Sequence, residues 1–197
     1  FGINGGIFFS PNGNQIAFYT MDQTMVEDYP IVNWSKTPAV VENIKYPMAG
    51  RTSHQVKLGV YNIQSQKTTY LNIAGPKDQY LTSVTWSPDE KYIYVGVLNR
   101  NQKHLTLNQY NANTGQFVKT LFEEKSDTYV EPQHPLYFIN NNEFVWWSQR
   151  DGYMHLYRYH VSGKLLNQVT QGPWIVNAIN GINKSSKTLI ISTTKED

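Results

Sequence analysis

Short apolar and aromatic runs alternate with polar turns along most of this chain. Four such runs lie between residues 83 and 124: 84–86, 92–98, 105–110 and 117–122. This pattern is typical of successive antiparallel strands. The breaks carry turn residues, because 87–90 reads SPDE, with a proline suited to a type I turn, and 113–115 reads NTG, which tolerates positive φ. The stretch therefore predicts a four-stranded meander.

The outer hairpin of this meander occurs three times at one period. The hairpins share a leucine and a tyrosine that recur every 49 residues: Leu58, Leu107 and Leu156, and Tyr61, Tyr110 and Tyr159. Polar turn residues follow each tyrosine. A repeated four-stranded unit of about 40 to 50 residues predicts a β-propeller, because radially packed small sheets cover faces that a single sheet would leave in water.

The whole pattern predicts an all-β fold, a partial β-propeller of about three and a half four-stranded antiparallel blades over residues 1–197. The predicted units are blades at 1–74, 79–124 and 133–171 and a half blade at 174–197. A closed propeller typically has four to eight blades, so we expect an open arc with uncovered ends. Because Phe1 is not a start methionine, we also expect the chain to be part of a longer protein.

An insertion at 20–50 interrupts the first predicted blade. Its apolar pieces at 31–34 and 39–44 are expected to be short extended segments. Loops of this length inside compact repeats usually bind a partner or have another function. An extended arm leaving a blade edge would offer backbone groups to another chain, whereas the alternative is a flap that folds back locally.

Composition excludes several classes of protein. The net charge is +2 without a cluster of Lys and Arg, which argues against a nucleic-acid surface. The longest apolar runs are far shorter than the roughly 20 residues that a membrane span needs. The chain has no cysteine, which excludes disulfides and thiolate ligands but leaves the compartment open. Aromatic residues make up 14%, which suits half-buried strands.

Candidate catalytic chemistry is almost lacking in the sequence. It has no G-x-S-x-G nucleophile elbow, no H-x-x-x-H or H-E-x-x-H spacing and no glycine-rich phosphate loop. His155 and His160 fall on a predicted outer strand, where a surface or cross-strand role is expected. Glu123 and Glu124 follow a predicted strand end and are interpreted as a solvated turn. We therefore predict no catalytic residue, no metal site and no cofactor in this segment.

The aromatic residues of the repeats are expected to pack in the core. A sugar-binding platform at Trp146 or Trp147 is a weaker alternative, because neighbouring residues of a strand face opposite sides and only one ring could be presented.

Several motifs resemble the propeller of the dipeptidyl peptidase IV family, which are prolyl-oligopeptidase-like serine exopeptidases. The matching stretches are DQT at 22–24, YP at 29–30, YPMAG at 46–50 with VKL at 56–58, SQRDGY at 148–153 with HLY at 155–157, and TQGPW at 170–174. The resemblance spans essentially all 197 residues and is closer to bacterial members, since cysteines common in animal members are missing. One departure is Ser53-His54, where the family often has Asn-Pro.

The resemblance implies a parent enzyme with an eight-bladed propeller that caps an α/β-hydrolase domain. Such an enzyme removes dipeptides from the free N-terminus of peptides that carry proline or alanine at the second position. Its Ser, Asp and His triad would lie in the C-terminal hydrolase domain of the same chain, and its acidic clamp would come just before Phe1. The residues that this resemblance places near the peptide substrate are Phe1, Tyr129, Val130 and Glu131.

The same resemblance implies that the insertion is a dimerisation arm that contacts the partner subunit in a homodimer. The apolar and aromatic residues expected at that contact are Tyr29, Ile31, Val32, Trp34, Val40, Val41 and Ile44. We expect a periplasmic or secreted location, with a cytoplasmic one still open. The alternative function is a non-enzymatic scaffold or sensor propeller that shares only the blade architecture. A glutamate upstream of Phe1 and a downstream G-x-S-x-G would favour the peptidase.

Overall fold

The computed structural model describes residues 5–183, 185 and 187–195, and the regular structure within them consists of β-strands. The strands are β1 (Ile7–Phe9), β2 (Gln15–Asp22), β3 (Asp28–Asn33), β4 (Val40–Lys45), β5 (Gln55–Asn62), β6 (Lys67–Tyr70), β7 (Tyr80–Trp86), β8 (Tyr92–Leu98), β9 (His104–Asn111), β10 (Phe117–Lys125), β11 (Tyr137–Phe138), β12 (Glu143–Ser148), β13 (His155–His160), β14 (Leu165–Gln168), β15 (Val176–Asn183) and β16 (Thr188–Thr193).

These strands form three four-stranded antiparallel sheets and the first half of a fourth. The first blade has the strand order β1-β2-β5-β6, the second runs from β7 to β10, the third from β11 to β14, and the half blade is β15-β16. The insertion forms a separate two-stranded sheet of β3 and β4, which we name the arm hairpin. The structure thus confirms the predicted fold class, a partial all-β propeller of about three and a half blades.

The second blade is covered on both faces, which explains the apolar residues at consecutive positions of β8. Ile93 and Val95 belong to the core cluster shared with the first blade. Tyr94 and Leu98 point the other way, into the cluster shared with the third blade. Successive side chains of a strand alternate between its two faces, so a strand that lies between two sheets needs apolar residues at both odd and even positions. Burial of this surface, at roughly 25 cal/mol per Å², holds adjacent blades together.

The third blade repeats this arrangement with larger side chains. Phe144 and Trp146 of β12 pack against the second blade, and Val145 and Trp147 pack towards the half blade. Trp146 is 1% exposed and Trp147 is 6% exposed. Neither ring is available as a platform for a sugar, so both tryptophans are core residues, as the packing interpretation predicts.

Glycines in two outer turns allow neighbouring blades to approach closely. Gly115 and Gly163 both have positive φ, at 71° and 99°. A Cβ atom on Gly115 would overlap the carbonyl oxygen of Tyr70, and one on Gly163 would overlap that of Leu121. The Asn72 N–H donates to the Gly115 carbonyl at 2.8 Å. Each glycine therefore permits a backbone contact with the preceding blade that a side chain would block.

Polar groups also tie the first blade to the second. Glu90 accepts hydrogen bonds from the backbone N–H of Asn12 at 2.5 Å and from Asn14 Nδ2 at 2.9 Å. Burial would raise the pKa of Glu90, but these hydrogen bonds outweigh that effect and lower its pKa. The Trp86 indole N–H donates to the Phe8 carbonyl at 3.0 Å. The turns at 10–13 and 87–90, both built around Ser-Pro, thus meet at one end of the blades.

Among the described residues there is no helix with the length and apolar character of a membrane span.

Candidate functional site

The loop between β10 and β11 and the loop between β12 and β13 enclose a cleft of about 510 Å³. Three residues predicted from the resemblance, Tyr129, Val130 and Glu131, lie on its wall. The cleft is also lined by the end of β10 and the end of β12, including Glu123, Glu124, Lys125, Trp147, Ser148 and Arg150. The structure therefore brings the predicted loop residues together with charged groups from two blades.

Val130 anchors the loop that forms one wall of this cleft. Its N–H donates to the Gln102 carbonyl at 2.7 Å, and its side chain, 9% exposed, packs in the cluster between the second and third blades. The flanking residues are turned outward, because Tyr129 is 56% exposed and Glu131 is also exposed. Because Val130 is buried between them, the Tyr129 ring and the Glu131 carboxylate are held at fixed positions on the cleft wall.

An ion pair between the second and third blades forms the charged part of the cleft. Arg150 Nη2 lies 2.5 Å from Glu124 Oε1, and Arg150 Nε donates to Ser148 Oγ at 2.9 Å. The Trp146 indole N–H donates to the same Glu124 oxygen at 3.1 Å. The guanidinium carbon of Arg150 also lies 4.3 Å from the centre of the Tyr157 ring, within cation–π range.

This ion pair corrects the prediction for Glu123 and Glu124. Both residues belong to β10 and not to a turn, and the Glu124 side chain is only 12% exposed. The turn prediction was wrong because β10 continues to Lys125. The Glu124 carboxylate can be buried there because Arg150, which is distant in sequence, pairs with it. Arg150 lies within the SQRDGY motif, but nothing in the sequence pattern identified its partner.

The protonation states at this end of the cleft follow from burial and neighbouring charges. Burial alone would lower the pKa of Arg150, but Tyr159 and Glu124 outweigh it and hold that pKa above its ordinary value. Burial, with Asp151 nearby, raises the pKa of Tyr157 to about 12. The guanidinium is therefore charged and the phenol neutral across the physiological pH range.

The remaining carboxylates on the cleft wall differ in how they are neutralised. Glu123 lies 2.9 Å from Lys125 Nζ and 3.0 Å from His104 Nε2, and their hydrogen bonds hold its pKa below its ordinary value. Glu131 accepts a hydrogen bond from Gln133 Nε2 at 3.3 Å and forms no salt bridge within the described residues. Glu131 is thus the wall carboxylate best able to attract a cation from outside.

The two histidines of β13 have local structural roles. His155 is fully buried, so of the surface or cross-strand role predicted for it the surface role is wrong. Its Nδ1 lies 3.0 Å from Thr170 Oγ1 and its Nε2 lies 2.9 Å from the Gly172 carbonyl, both in the segment that follows β14. Both ring nitrogens are occupied, and the ring joins the third blade to the segment that enters the half blade. His160 Nδ1 lies 2.8 Å from Ser162 Oγ in an exposed turn. Within the described part of the chain, no group of three or more His, Cys, Asp or Glu residues could hold a metal ion.

The second candidate region is the arm hairpin. Residues 31–34 and 39–44 were predicted as short extended segments; in the structure residues 31–33 and 40–44 belong to one antiparallel sheet, with Val32 opposite Val41, and Trp34 lies in the turn between the strands. Its apolar side chains face solvent: Trp34 is 81% exposed and Val41 is 62% exposed. Tyr29, Ile31, Val32 and Val40 are also exposed, and Ile44 is half-buried. The seven predicted arm residues therefore share one small sheet, or its turn, with apolar residues on both faces.

One predicted site residue, Phe1, lies outside the residues that the structure describes.

Comparison with known proteins gives a family match over residues 1–197, to the family described as the Dipeptidyl peptidase IV (DPP IV) N-terminal region. Dipeptidyl peptidase 4 of Felis catus is 26% identical, covering 92% of this chain and 26% of the relative. Dipeptidyl peptidase 4 of Arthroderma otae is 25% identical, covering 99% of this chain and 27% of the relative. The chain therefore spans about a quarter of the length of these relatives.

Solved structures agree with the sequence match. A Bacteroides ovatus structure described as a dipeptidyl aminopeptidase IV candidate has a TM-score of 0.91 and 42% identity, covering 98% of this chain and 30% of that chain. Porphyromonas gingivalis dipeptidyl peptidase 4 has a TM-score of 0.85 and 22% identity, covering 98% and 28%, and supports the fold. The family match, the propeller blades and the motifs agree, and the chain belongs to the dipeptidyl peptidase IV N-terminal-region family.

Proposed function

We propose that this chain is the propeller segment of a serine-type dipeptidyl peptidase and that its cleft helps to position the N-terminus of a peptide substrate. The observation that carries the proposal is the anchored loop, where Val130 is buried and holds Tyr129 and Glu131 at the cleft wall. An aromatic ring and an unneutralised carboxylate side by side suit a peptide end with a small apolar side chain and a positively charged amino group. Peptides with proline or alanine at the second position are the expected substrates.

Hydrolysis itself is assigned to an α/β-hydrolase domain elsewhere in the same protein. The 197 residues contain no G-x-S-x-G motif, which such a domain uses to expose its nucleophile. The propeller therefore gates and orients the substrate, and the 197-residue chain is expected to be inactive alone.

The test is hydrolysis of a Gly-Pro chromogenic amide by the full-length protein and by the 197-residue chain. We expect strong activity from the first and none from the second. A full-length protein that leaves Gly-Pro amides intact would contradict the peptidase assignment and favour the scaffold alternative. Activity in the isolated 197 residues would contradict the proposed division between the propeller and the hydrolase domain.

We also propose that the arm hairpin forms part of a homodimer interface. Its exposed apolar residues on both faces support this role, because a two-stranded sheet with no layer against it gains stability from a covering partner. Deletion of residues 31–43 from the full-length protein is expected to leave a monomer. An unchanged dimer mass in light scattering would refute the role of the arm.

A periplasmic or secreted location is part of the same proposal. Fractionation of cells that express the native gene, followed by the Gly-Pro amidase assay, tests it. Activity confined to the cytoplasmic fraction would contradict this location.

A further inference from the structure

The two outer edges of the arm hairpin differ in their ability to pair with another strand. In an antiparallel pair, opposite residues alternate between those that exchange hydrogen bonds with each other and those whose N–H and C=O groups point outward. The Tyr46 N–H donates to the Glu27 carbonyl at 3.3 Å, one position beyond the Asp28–Lys45 pair. Glu27 and Tyr46 are therefore a hydrogen-bonded pair, which sets the alternation along the hairpin.

From this alternation, Asp28, Pro30 and Val32 direct their backbone groups to the outer edge of β3. Val41, Asn43 and Lys45 direct theirs to the outer edge of β4, because they stand opposite those three residues. Both strands are solvent-exposed along most of their length, and each pairs only with the other among the described strands. The hairpin thus has two free edges.

Pro30 makes these edges unequal. It lies in the middle of the outward-facing row of β3 and has no N–H, so that edge lacks its central donor. Asn43, which stands opposite Pro30, leaves β4 with an outward N–H at the corresponding place. Proline on an edge strand is a known means of blocking pairing with other strands. One edge of the hairpin is blocked and the other is open.

Charges on the hairpin indicate what kind of strand could pair with the open edge. Asp28 lies 3.1 Å from Lys45 Nζ, and Glu42 lies 2.9 Å from Lys36 Nζ, so the charged residues of both strands are already neutralised. A strongly acidic or basic partner gains little from such a surface, whereas a second copy can approach without like-charge repulsion. Both copies would also contribute apolar side chains to both faces of the joined sheet.

We propose that β4, and not β3, is the edge through which two copies of this chain pair in the homodimer, which rests on the proposed role of the arm. The two β4 strands run antiparallel about a two-fold axis that passes beside Asn43. In this register Asn43 stands opposite its own copy and Val41 opposite Lys45, so all three outward positions of each strand are used. Glu42 then stands opposite Ile44, which keeps the two glutamates apart. The product is a four-stranded sheet shared by the two copies.

The decisive experiment compares Asn43→Pro with Val32→Pro in the full-length protein. Each substitution removes one outward N–H and no hydrogen bond within the hairpin, and Pro30 shows that the hairpin accommodates proline at such a position. We expect Asn43→Pro to raise the dimer dissociation constant by roughly tenfold or more, since it removes two symmetric hydrogen bonds. Val32→Pro should retain the wild-type dimer mass. Asn43→Ala, which keeps the N–H, should also remain dimeric.

Two kinds of result would contradict the account in different ways. Pairing through the β4 edge is wrong if Val32→Pro dissociates the dimer as strongly as Asn43→Pro. It is also wrong if neither proline variant dissociates the dimer while deletion of residues 31–43 gives a monomer. In both cases the role of the arm in the dimer stands. If deletion leaves the dimer intact, the arm role itself fails.

Amide hydrogen exchange on the wild-type dimer supplies a measurement that needs no substitution. The outward amides of Val41 and Asn43 should be protected in the dimer and exchange freely after dilution to the monomer, whereas the Val32 amide should exchange freely in both. Protection of Val32 with free exchange at Asn43 would overturn the proposal.

Discussion

The central strands of the second blade and the arm hairpin are both antiparallel pairs with apolar residues on both faces, but they differ in what covers them. Ile93 and Val95 of β8 are fully buried between the first and third blades. Val41 and Trp34 of the arm remain exposed, with no sheet of the described chain stacked on either face. The comparison teaches that the same local pattern gives a core element where blades lie on both sides and a potential contact surface where none do.

The largest expected difference is between two tryptophans, one on each side of this comparison. Trp146→Ala should lower the free energy of unfolding by about 4 kcal/mol, because it removes a buried ring between the second and third blades. Trp34→Ala should change it by less than about 0.5 kcal/mol, as expected for an exposed side chain. Denaturant unfolding of the full-length protein measures both, at one protein concentration low enough that the dimer is not populated. Equal losses would show that the arm belongs to the folded core.

A smaller effect is expected at the glycines that let blades approach. Gly163→Ala should cost about 3 kcal/mol, of which about 1 comes from positive φ and the rest from overlap with the Leu121 carbonyl. Gly13→Ala is the matched control, because Gly13 also has positive φ but no atom lies within 4 Å of its added Cβ. It should cost about 1 kcal/mol. Similar unfolding midpoints for the two variants would mean that the turn at Gly163 is not a tight contact between blades.

The cleft should respond more weakly. Glu131→Gln in the full-length protein should raise KM for a Gly-Pro amide about threefold with little change in kcat, corresponding to about 0.7 kcal/mol for an exposed charge contact. Glu123→Gln is the control, since Lys125 and His104 already neutralise that carboxylate. An equal rise in KM for both variants would indicate a general field effect and remove the specific role given to Glu131.

The smallest effect concerns the tie between the first and second blades at Glu90. The pKa of Glu90 is lower in the folded protein than in the unfolded chain, so the unfolded chain binds the proton more tightly. The contribution of Glu90 to stability is therefore present above its ordinary pKa of about 4.3. It is lost as the pH falls through the lower pKa of the folded protein. Glu90→Gln should therefore unfold with less dependence on pH between about 5 and 3. Thermal unfolding across that range tests this. A variant as sensitive to acid as the wild type would show that Glu90 does not contribute.

Much of the fold was predictable because short-range sequence patterns determine its strands and turns. Ser-Pro turns, alternating apolar positions and the 49-residue spacing of Tyr61, Tyr110 and Tyr159 indicate repeated meanders from the sequence alone. The hairpin of β3 and β4 is harder to predict, since a proline such as Pro30 is compatible with a strand only at an outward-facing edge position.

The candidate site was less predictable because its chemistry depends on residues distant in sequence. The buried position of Glu124 makes sense only with Arg150, 26 residues away, and His155 is buried because Thr170 and Gly172 supply partners for both ring nitrogens. Neither pairing changes the local alternation of apolar and polar residues, so the sequence pattern does not reveal it. The family resemblance indicated the loop at Tyr129, Val130 and Glu131, but the anchoring of Val130 on Gln102 required the structure.

Hydrogen exchange of the full-length protein at high and low concentration tests the central contrast most directly. We predict that amides of β8 and β9 stay protected at every protein concentration, because blades of the same chain cover them, while the outward amides of Val41, Asn43 and Lys45 are protected only where the dimer is populated. Equal protection of both hairpins in the monomer would contradict the account, since the arm would then be covered by its own chain.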